Sequence, residues 1–314
     1  MSREPYLPGR RRTTITVGTF DGVHRGHQEV LREIVRRARA ADRASVLVTF
    51  EPHPLEIVAP ERAPRLLTTP EEKLELWPLF DLDYVHVLAF TPELREMPPE
   101  RFVRDVLVGR LRVGELVIGY DHGFGKDRKG DVETLRQLAA ALDFTVDVVG
   151  AVAVGEEVVT STGARRAVEA GDLDEVKRVL GRPYSALGRV IPGAGRGAGL
   201  GFPTANLGTD SRKCLPPAGV YAVWAEIDGR SWQAMANLGS RPTFGDDRSA
   251  LEVHVLDWPG SALYGARLSV EFAARLRDVR RFEGPRKLAA QLERDRERTR
   301  EILEPGARRH TGVA

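Results

Sequence analysis

The sequence predicts two domains of different class: an α/β domain with a parallel sheet, followed by an antiparallel all-β domain with a C-terminal helix. Three observations support this. Apolar runs rich in β-branched residues alternate with helical patterns up to about residue 180. Beyond residue 183, strand-like runs follow one another between turns rich in glycine and proline. A strongly charged amphipathic helix is predicted over residues 284–303.

The predicted strands of the first half are near-continuous apolar runs, as expected for strands buried on both faces of a parallel sheet. They are residues 13–17, 44–50, 83–90, 115–120 and 144–153. The predicted helices are residues 28–40, 70–80, 99–109, 131–142, 164–169 and 173–180. The last helix ends at Gly181-Arg182-Pro183, and glycine followed by proline is a helix stop. We therefore expect domains of residues 1–182 and 183–314.

The second half is predicted to contain short antiparallel strands. They are residues 185–192, 219–227, 231–238, 250–256 and 267–272. Asp228-Gly229 separates two of them, and Asp-Gly is a strong hairpin turn signal. This spacing of strands is typical of a barrel or of a sandwich.

Composition narrows the class of protein. The 314 residues are 42% hydrophobic and 29% charged with a net charge of +2, so no overall field attracts nucleic acid or an anionic membrane. No apolar run approaches the roughly 18–20 residues of a membrane span, and the N-terminus does not resemble a signal peptide. Cys214 is the single cysteine and cannot form an internal disulfide, which favours the cytoplasm. A homo-oligomer is compatible with the sequence.

Residues 18–27, Gly-Thr-Phe-Asp-Gly-Val-His-Arg-Gly-His, form the most informative segment. They connect a predicted strand to a predicted helix, and a helix N-terminus offers unpaired N–H groups to an anion. His24 and His27 would face that anion, while Gly22 and Gly26 leave the backbone open to it. Two histidines three residues apart could also ligate a metal, but no further ligand cluster completes a zinc site. They could instead cap and fill a tight turn; we favour phosphate binding.

Two further segments fit a nucleotide site less specifically. Residues 160–165, Thr-Ser-Thr-Gly-Ala-Arg, place hydroxyl groups and an arginine at a helix start. Such a segment is either a helix cap or a phosphate cradle. Residues 119–125, Gly-Tyr-Asp-His-Gly-Phe-Gly, follow a predicted strand. Their glycines and aromatic rings suit a flat ligand or a plain loop.

The second half carries another set of polar residues. Glycine-rich residues 193–201 precede Thr204 and Asn206, whose side-chain oxygens are hard ligands suited to Mg²⁺. The alternation in residues 251–257, Leu-Glu-Val-His-Val-Leu-Asp, predicts Glu252 and His254 on one strand face. Glu252 is either a general base or part of a solvated strand face.

Together, these motifs resemble the family of bacterial bifunctional riboflavin kinase/FMN adenylyltransferases, also called FAD synthetases, over about residues 12–303. The motifs that carry the resemblance are residues 18–27, 49–54, 161–162 with 165, 201–206, 217–221, 237–239, 241–243, 251–257, 263–265 and 276–277. The resemblance implies a Rossmann-like, nucleotidyltransferase-type first domain and an antiparallel β-barrel riboflavin kinase domain with a C-terminal helix. It also implies two reactions: ATP phosphorylates riboflavin to FMN, and a second ATP adenylylates FMN to FAD with release of pyrophosphate.

The resemblance implies roles for individual residues of the adenylyltransferase. His24 and His27 would hold the ATP phosphates and stabilise the departing pyrophosphate, assisted by Arg165. Positions that would border ATP or FMN are Gly18, Thr19, Phe20, Asp21, Gly22, Pro52, His53, Pro54, Asp121, Phe124, Ser161 and Thr162. Asp121 departs from the asparagine of many relatives, and Gly163-Ala164 replaces a basic and an apolar residue. Arg165 would then carry more of the phosphate cradle.

In the kinase, Thr204 and Asn206 would position Mg²⁺ and ATP phosphate, and Glu252 would accept the proton of the ribityl hydroxyl. Gly201, Phe202 and Pro203 would also border the ligands. A carboxylate is a weak base, so positioning must do most of the work. Val279 stands where relatives often have glutamate, and we assign it no role.

Two alternative functions differ in class. One is an adenylyltransferase for another phosphate ester, with the barrel as a binding module; the Pro203–Asn206 motif together with Glu252 argues against it. The other is a flavin- or nucleic-acid-binding protein that uses the barrel surface. The near-neutral charge and the lack of an interleaved basic and aromatic patch argue against nucleic acid. We therefore expect small-molecule partners and no membrane association.

Overall fold

The structure is a computed structural model that describes residues 7, 11–119, 132–154, 157–193, 199, 201–240, 249–260 and 262–304. The chain forms two compact units. The first comprises residues 1–64 and 73–160, and the second comprises residues 65–72 and 161–314. In the described ranges, no helix is both long enough and apolar enough to cross a membrane.

The first unit alternates strands and helices. Its strands are β1 (Thr13–Val17), β2 (Ala44–Glu51), β3 (Tyr84–Ala89), β4 (Val113–Gly119), β5 (Thr145–Val149) and the short pair β6 (Ala153–Val154) and β7 (Glu157–Val158). Its helices are α1 (Arg25–Ala40), α2 (Pro54–Val58), α3 (Pro70–Leu76, which begins in the second unit), α4 (Pro92–Arg95), α5 (Pro99–Arg101) and α6 (Val132–Leu142). Two 3-10 turns, Pro60–Arg62 and Trp77–Phe80, and a π-helix, Phe102–Val108, complete it.

Among the described residues, the main sheet of the first unit has the strand order β3-β2-β1-β4-β5, and each pairing is parallel. The chain moves outward from β1 through β2 to β3, then crosses to the other side of β1. The strand order therefore reverses between β1 and β4. In open parallel sheets, ligands bind beyond the carboxyl ends of the strands at such a switch point.

Helix α1 follows β1 because its sequence has an apolar stripe at helical spacing. Leu31, Ile34 and Ala38 lie on that stripe and are fully buried. Arg37 and Arg39 in the last turn favour the negative end of the helix dipole. Packing of this stripe on the sheet fixes the position of the helix start, which follows the histidine turn.

The second unit is built on a closed barrel. Its strands are β8 (Tyr184–Ile191), β9 (Ala205–Thr209), β10 (Gly219–Ile227), β11 (Arg230–Ser240), β12 (Ser249–Val255) and β13 (Arg267–Arg277). Helices α7 (Ser161–Ala170) and α8 (Leu173–Leu180) precede the barrel, and α9 (Pro285–Ile302) follows it. Within the described part of the chain, the strand order around the barrel is β10-β11-β12-β9-β8-β13, and all pairings are antiparallel. Each of these six described strands is therefore paired on both sides.

The barrel interior and its outer face differ as the alternation along β12 predicts. Leu251 and Val253 are each 1% exposed and fill the interior. Glu252 and His254 lie on the opposite face, where Phe202, Met235 and Leu256 form a small buried cluster with Leu292 of α9. Helix α9 therefore packs against the outer face of the barrel.

Residues 65–72 belong to the second unit because of a buried ion pair. Lys213 and Glu72 are joined by a Nζ–Oε2 distance of 2.7 Å, and their side chains are 1% and 6% exposed. Lys213 also donates to the Leu67 carbonyl, and Glu72 accepts the backbone N–H of Leu187. Burial lowers the pKa of nearby Arg182 to about 10, an effect that the Glu72 carboxylate opposes.

The observed elements differ from the predicted ones in several places, of which the short helices α2 and α4 are examples that the sequence did not predict. Strand β9 was not predicted, because its motif Ala205–Thr209 is short and follows a glycine-rich run. The predicted helix 99–109 is one turn of α-helix that continues as the π-helix Phe102–Val108. The predicted strand 144–153 is divided into β5 and β6.

Two candidate active sites

The turn between β1 and α1 has an unusual backbone. Phe20 and Val23 have φ values of 49° and 41°, in the left-handed region that side chains rarely adopt, and Gly22 has a φ of 83°. Val23 is β-branched and fully buried, so the surrounding packing must hold it in this conformation. Such strained backbone clusters at ligand-binding sites. The turn is therefore rigidly shaped rather than a simple connection.

His24 and His27 lie against each other at the start of α1. Their rings are stacked at a centroid distance of 3.6 Å, and the ring of Phe20 lies 4.8 Å from His27. His24 is the N-cap of α1, and its Nδ1 accepts the backbone N–H of His27 at 3.3 Å. This bond assigns the proton of a neutral His24 to Nε2. A Cβ on Gly26 would lie 3.2 Å from the His24 ring, so this glycine makes room for the imidazole.

The other predicted residues of this turn are buried, closely packed or hydrogen-bonded through the backbone. Asp21 is 1% exposed, and a Cβ on Gly18 would lie 3.0 Å from the Phe20 ring. The Thr19 carbonyl accepts from Lys73 Nζ at 2.7 Å and from the Thr49 hydroxyl at 3.3 Å. These bonds fix the backbone of the turn from β2 and α3.

Pro52, His53 and Pro54 follow the carboxyl end of β2, which is the neighbour of β1 in the sheet. His53 is the N-cap of α2, where its Nδ1 accepts the N–H of Leu55 at 3.2 Å. Its backbone N–H donates to the Glu56 carboxylate at 3.0 Å, which completes a capping box. Because neighbouring parallel strands end at the same edge, this segment and the histidine turn share one edge of the sheet. Asp121 and Phe124 lie outside the described residues.

Ser161, Thr162 and Arg165 lie on α7, in the second unit, whereas the histidine turn lies in the first. Ser161 and Thr162 are the first two residues of the helix. The Nε of Arg165 donates to the Arg65 carbonyl at 2.8 Å, a contact within the second unit. The joint phosphate cradle of these residues with His24 and His27 stays a prediction.

The outer face of the barrel contains a cavity of about 590 Å³ under α9. Predicted residues Phe202, Thr204 and Glu252 line it together with His254. Its other walls are Val220, Met235, Ala236, Asn237, Arg277, Val279, Arg280, Phe282, Gly284, Pro285, Leu288 and Leu292. The volume suits a ligand of the size of a drug or cofactor.

The strand register places three polar side chains in one row at this cavity. Glu252 of β12 is directly opposite Asn206 of β9 and Asn237 of β11. Residues paired in register share a face of the sheet, so these three side chains lie side by side. Asn206 is 7% exposed, and a Cβ on Gly193 would lie 1.8 Å from its Nδ2. Only glycine therefore allows the backbone at position 193 to lie against this amide. Gly201 has a φ of 80°, in the left-handed region.

His254 links the two predicted motifs of the barrel. Its Nδ1 lies 2.8 Å from the carbonyl of Pro203, which precedes Thr204, and its ring lies 5.1 Å from that of Phe202. Because a carbonyl accepts, Nδ1 carries a proton. Burial lowers the pKa of His254, and the bond to Pro203 partly offsets this effect. His254 thus holds the Pro203–Thr204 segment against β12.

The cavity residues that sequence reasoning missed include Arg277, Arg280 and Phe282. The carbon Cζ of each guanidinium lies within 6 Å of the Phe282 ring centre, at 5.7 Å for Arg277 and 5.0 Å for Arg280. Arg277 belongs to a motif of the resemblance, which was the signal available. Val279, to which we assigned no role, also lines the cavity.

The fold defines a class: a chain with one α/β unit built on a parallel sheet and one unit built on a closed antiparallel barrel. The chain matches the FAD synthetase family over residues 8–163 and the riboflavin kinase family over residues 180–303. The bifunctional riboflavin kinase/FMN adenylyltransferase of Pseudomonas fluorescens is 40% identical over 303 residues, 96% of each chain. The protein of the same name from Escherichia coli K12 is 36% identical over 292 residues, 92% of each chain. The chain therefore belongs to the family of bifunctional riboflavin kinases/FMN adenylyltransferases.

A solved structure agrees with this fold. It is described as a macrolide-efflux protein from Streptococcus pneumoniae and is 30% identical, with a TM-score of 0.83 over 94% of this chain and 96% of that chain. Membership of the family makes this chain a kinase and a nucleotidyltransferase of flavin cofactor synthesis. Riboflavin, FMN, FAD and ATP are the substrates and products of these activities.

Proposed function

We propose that the barrel cavity is where riboflavin is phosphorylated, and that the turn of residues 18–27 is where FMN is adenylylated. The observation that carries the first assignment is the row of Asn206, Glu252 and Asn237 beside a cavity of about 590 Å³. The second assignment rests on the stacked His24 and His27 at the start of α1. We assign adenylylation to residues 1–182 and phosphorylation to residues 183–314.

In the kinase reaction, the 5′-hydroxyl oxygen of riboflavin attacks the γ-phosphorus of ATP. The bond from that phosphorus to the β–γ bridging oxygen breaks, ADP leaves, and Glu252 accepts the hydroxyl proton. Phosphoryl transfer depends mainly on positioning and neutralisation of charge, so a weak base in the right place suffices. His254 keeps Thr204 beside this carboxylate through the Pro203 carbonyl.

The oxygen atoms at this site also suit Mg²⁺. Thr204 is exposed at the cavity and offers a hydroxyl oxygen, and Asn206 offers an amide oxygen in the same row as Glu252. Mg²⁺ prefers oxygen ligands and keeps water and phosphate as its remaining ligands. When bound there, it would neutralise phosphate charge, with Thr204 and Asn206 as its protein ligands.

In the adenylylation, a phosphate oxygen of FMN attacks the α-phosphorus of ATP, and pyrophosphate leaves. His27 and His24 stabilise the negative charge that develops on pyrophosphate. His24 Nδ1 accepts the N–H of His27, so its other nitrogen, Nε2, donates to phosphate. The N-terminus of the 16-residue α1 adds its dipole, and its first turn contains no acidic residue.

The direct test is incubation of the purified protein with riboflavin, ATP and Mg²⁺, followed by separation of flavins by chromatography. We expect FMN first and FAD later. Omitting Mg²⁺ and adding a chelator should stop FMN formation, and adding Mg²⁺ back should restore it. FMN formation that persists with the chelator would exclude the metal assignment. We place the enzyme in the cytoplasm, because a chain with one cysteine cannot form an internal disulfide.

A further inference from the structure

The cavity of the barrel has a charged wall that the roles above do not use. Arg277, at the end of β13, and Arg280, after it, line this cavity with Glu252. Both guanidinium groups are held by side chains of α9 that do not themselves line the cavity. An arginine whose geometry is fixed in advance loses less entropy when it binds a ligand.

Asp295 holds Arg277. Its Oδ2 accepts from Nε at 2.9 Å and from Nη2 at 2.8 Å, and the two side chains are 6% and 16% exposed. The Nη1 group of Arg277 donates to the Asp278 carbonyl at 3.0 Å. A guanidinium has five N–H groups, so two remain for a ligand within the described part of the chain.

Gln291 holds Arg280 and is itself held by Asp295. Its Oε1 accepts from Arg280, and its Nε2 donates to Asp295 Oδ1 at 2.7 Å. Because the amide is neutral, Arg280 keeps its full charge, whereas Asp295 offsets the charge of Arg277. Arg294 also donates to Gln291 Oε1, at 2.7 Å. Three arginines, one aspartate and one glutamine therefore form one network with a net charge of +2, and two of the arginines, Arg277 and Arg280, line the cavity.

We propose that Arg277 and Arg280 bind a phosphate group in the kinase reaction, and that Asp295 and Gln291 are positioning residues for them. This inference rests on the kinase site proposed above. The ligand chemistry is a phosphate oxyanion, which arginine binds through charge-assisted hydrogen bonds. Two sources supply it in this reaction: the phosphates of ATP and the new phosphate of FMN. Riboflavin has no phosphate and serves as the internal control.

Kinetics of the intact protein separate these sources. For Arg280→Gln and Asp295→Asn we expect a rise of about tenfold either in the KM for ATP or in the inhibition constant of FMN. The KM for riboflavin should change less than twofold. A rise in the KM for ATP identifies ATP as the ligand. A rise in the inhibition constant of FMN against riboflavin in the kinase assay identifies FMN. The matched control is Glu301→Gln, because Glu301 pairs at 2.7 Å with Arg298 on α9 and neither residue lines the cavity.

Two results would overturn the proposal. One is that Arg280→Gln changes neither the KM for ATP nor the inhibition constant of FMN. Arg280 is exposed, so this substitution leaves the buried pair of Arg277 and Asp295 intact. The other is that the KM for riboflavin rises as much as the phosphate constants, as expected for a general distortion of the barrel. Glu252→Gln in the same assay separates the two proposals. If this variant still forms FMN at the normal rate, the kinase site itself is wrongly placed. If it does not, a negative result with Arg280→Gln contradicts only the role of the arginines.

Discussion

The two candidate sites differ in how their residues are held. In the barrel, Thr204, Glu252 and Asn206 belong to one unit, and two of them are fixed by the register of neighbouring antiparallel strands. In the first unit, His24 and His27 stand on a turn with three left-handed residues. The residues predicted to join them follow β2, follow β4 or lie on α7. Strand register places a side chain to within a fraction of a residue spacing, whereas a turn depends on the packing around it.

The two sites therefore depend on different properties of the chain. The kinase site follows from alternation along a strand, a property that sequence alone displays. The adenylylation site follows from a motif whose geometry arises from Phe20, Val23 and the His24 cap. Four predictions test the comparison, in order of decreasing effect.

Glu252→Gln tests the barrel site and should produce the largest effect. The amide keeps the size of the side chain but cannot accept the hydroxyl proton, so we expect FMN formation to fall about 10³-fold. Conversion of supplied FMN to FAD should stay within twofold, because it needs no residue of β12. Both rates are measured by flavin chromatography. Loss of both activities in a folded variant would contradict the assignment of separate sites.

Glu72→Ala tests the buried ion pair that joins residues 65–72 to the second unit. It leaves Lys213 charged and buried without its carboxylate, so the free energy of unfolding of this unit should fall by about 3–5 kcal/mol. The matched control is Glu71→Ala, which removes an exposed pair with Arg267 and should cost about 1 kcal/mol or less. Scanning calorimetry measures both. Equal losses for the two variants would show that burial of the pair is unimportant.

His27→Ala tests the histidine turn. Removing a group that stabilises the leaving pyrophosphate should lower FAD formation from FMN about 10²-fold. Phosphorylation of riboflavin should be unchanged, which makes this variant the reverse of Glu252→Gln. The two rates are compared in one assay with riboflavin or FMN supplied. An unchanged rate of FAD formation would remove His27 from the mechanism.

The smallest effect concerns pH and compares the two units directly. Burial lowers the pKa of His86 in the first unit and of His254 in the second from the ordinary value of 6.5. As the pH falls below about 6.5, these histidines take up protons in the unfolded chain before they do so in the folded one. Both units should therefore lose stability as the pH falls through this range. His254→Asn keeps a donor for Pro203 and should flatten this pH dependence for the second unit only. Denaturant unfolding at pH 7.5 and 5.5 measures it; an unchanged slope would contradict the buried, neutral His254.

The sequence predicted those features that depend on local periodicity. The alternation of β12 placed Glu252 and His254 opposite Leu251 and Val253, as the structure confirms. The apolar stripe of α1 and the parallel order of the first sheet follow from the same kind of pattern. Strand β9 escaped prediction because a motif of polar residues and glycine carries no strand periodicity of its own; pairing with β12 and β8 stabilises it.

Features that depend on contacts between distant residues could not be predicted. Arg277 and Asp295 are 18 residues apart and meet only because α9 packs back on the barrel. The stacking of His24 on His27 depends on the cap bond and on the space that Gly26 leaves for the His24 ring. The pairing of Glu72 with Lys213 spans 141 positions and has no local signal.

The pairing of Glu72 with Lys213 affects how the two activities could be separated, or exchanged between relatives. A barrel cut at residue 183 would lack a segment that neutralises its buried lysine and accepts the N–H of Leu187. Residues 65–72 and the barrel should therefore be inherited together, although the sequence between them encodes most of another unit. A chimera that exchanges the first half of the chain imports this segment from the donor, and its stability would depend on whether the donor supplies a carboxylate at position 72.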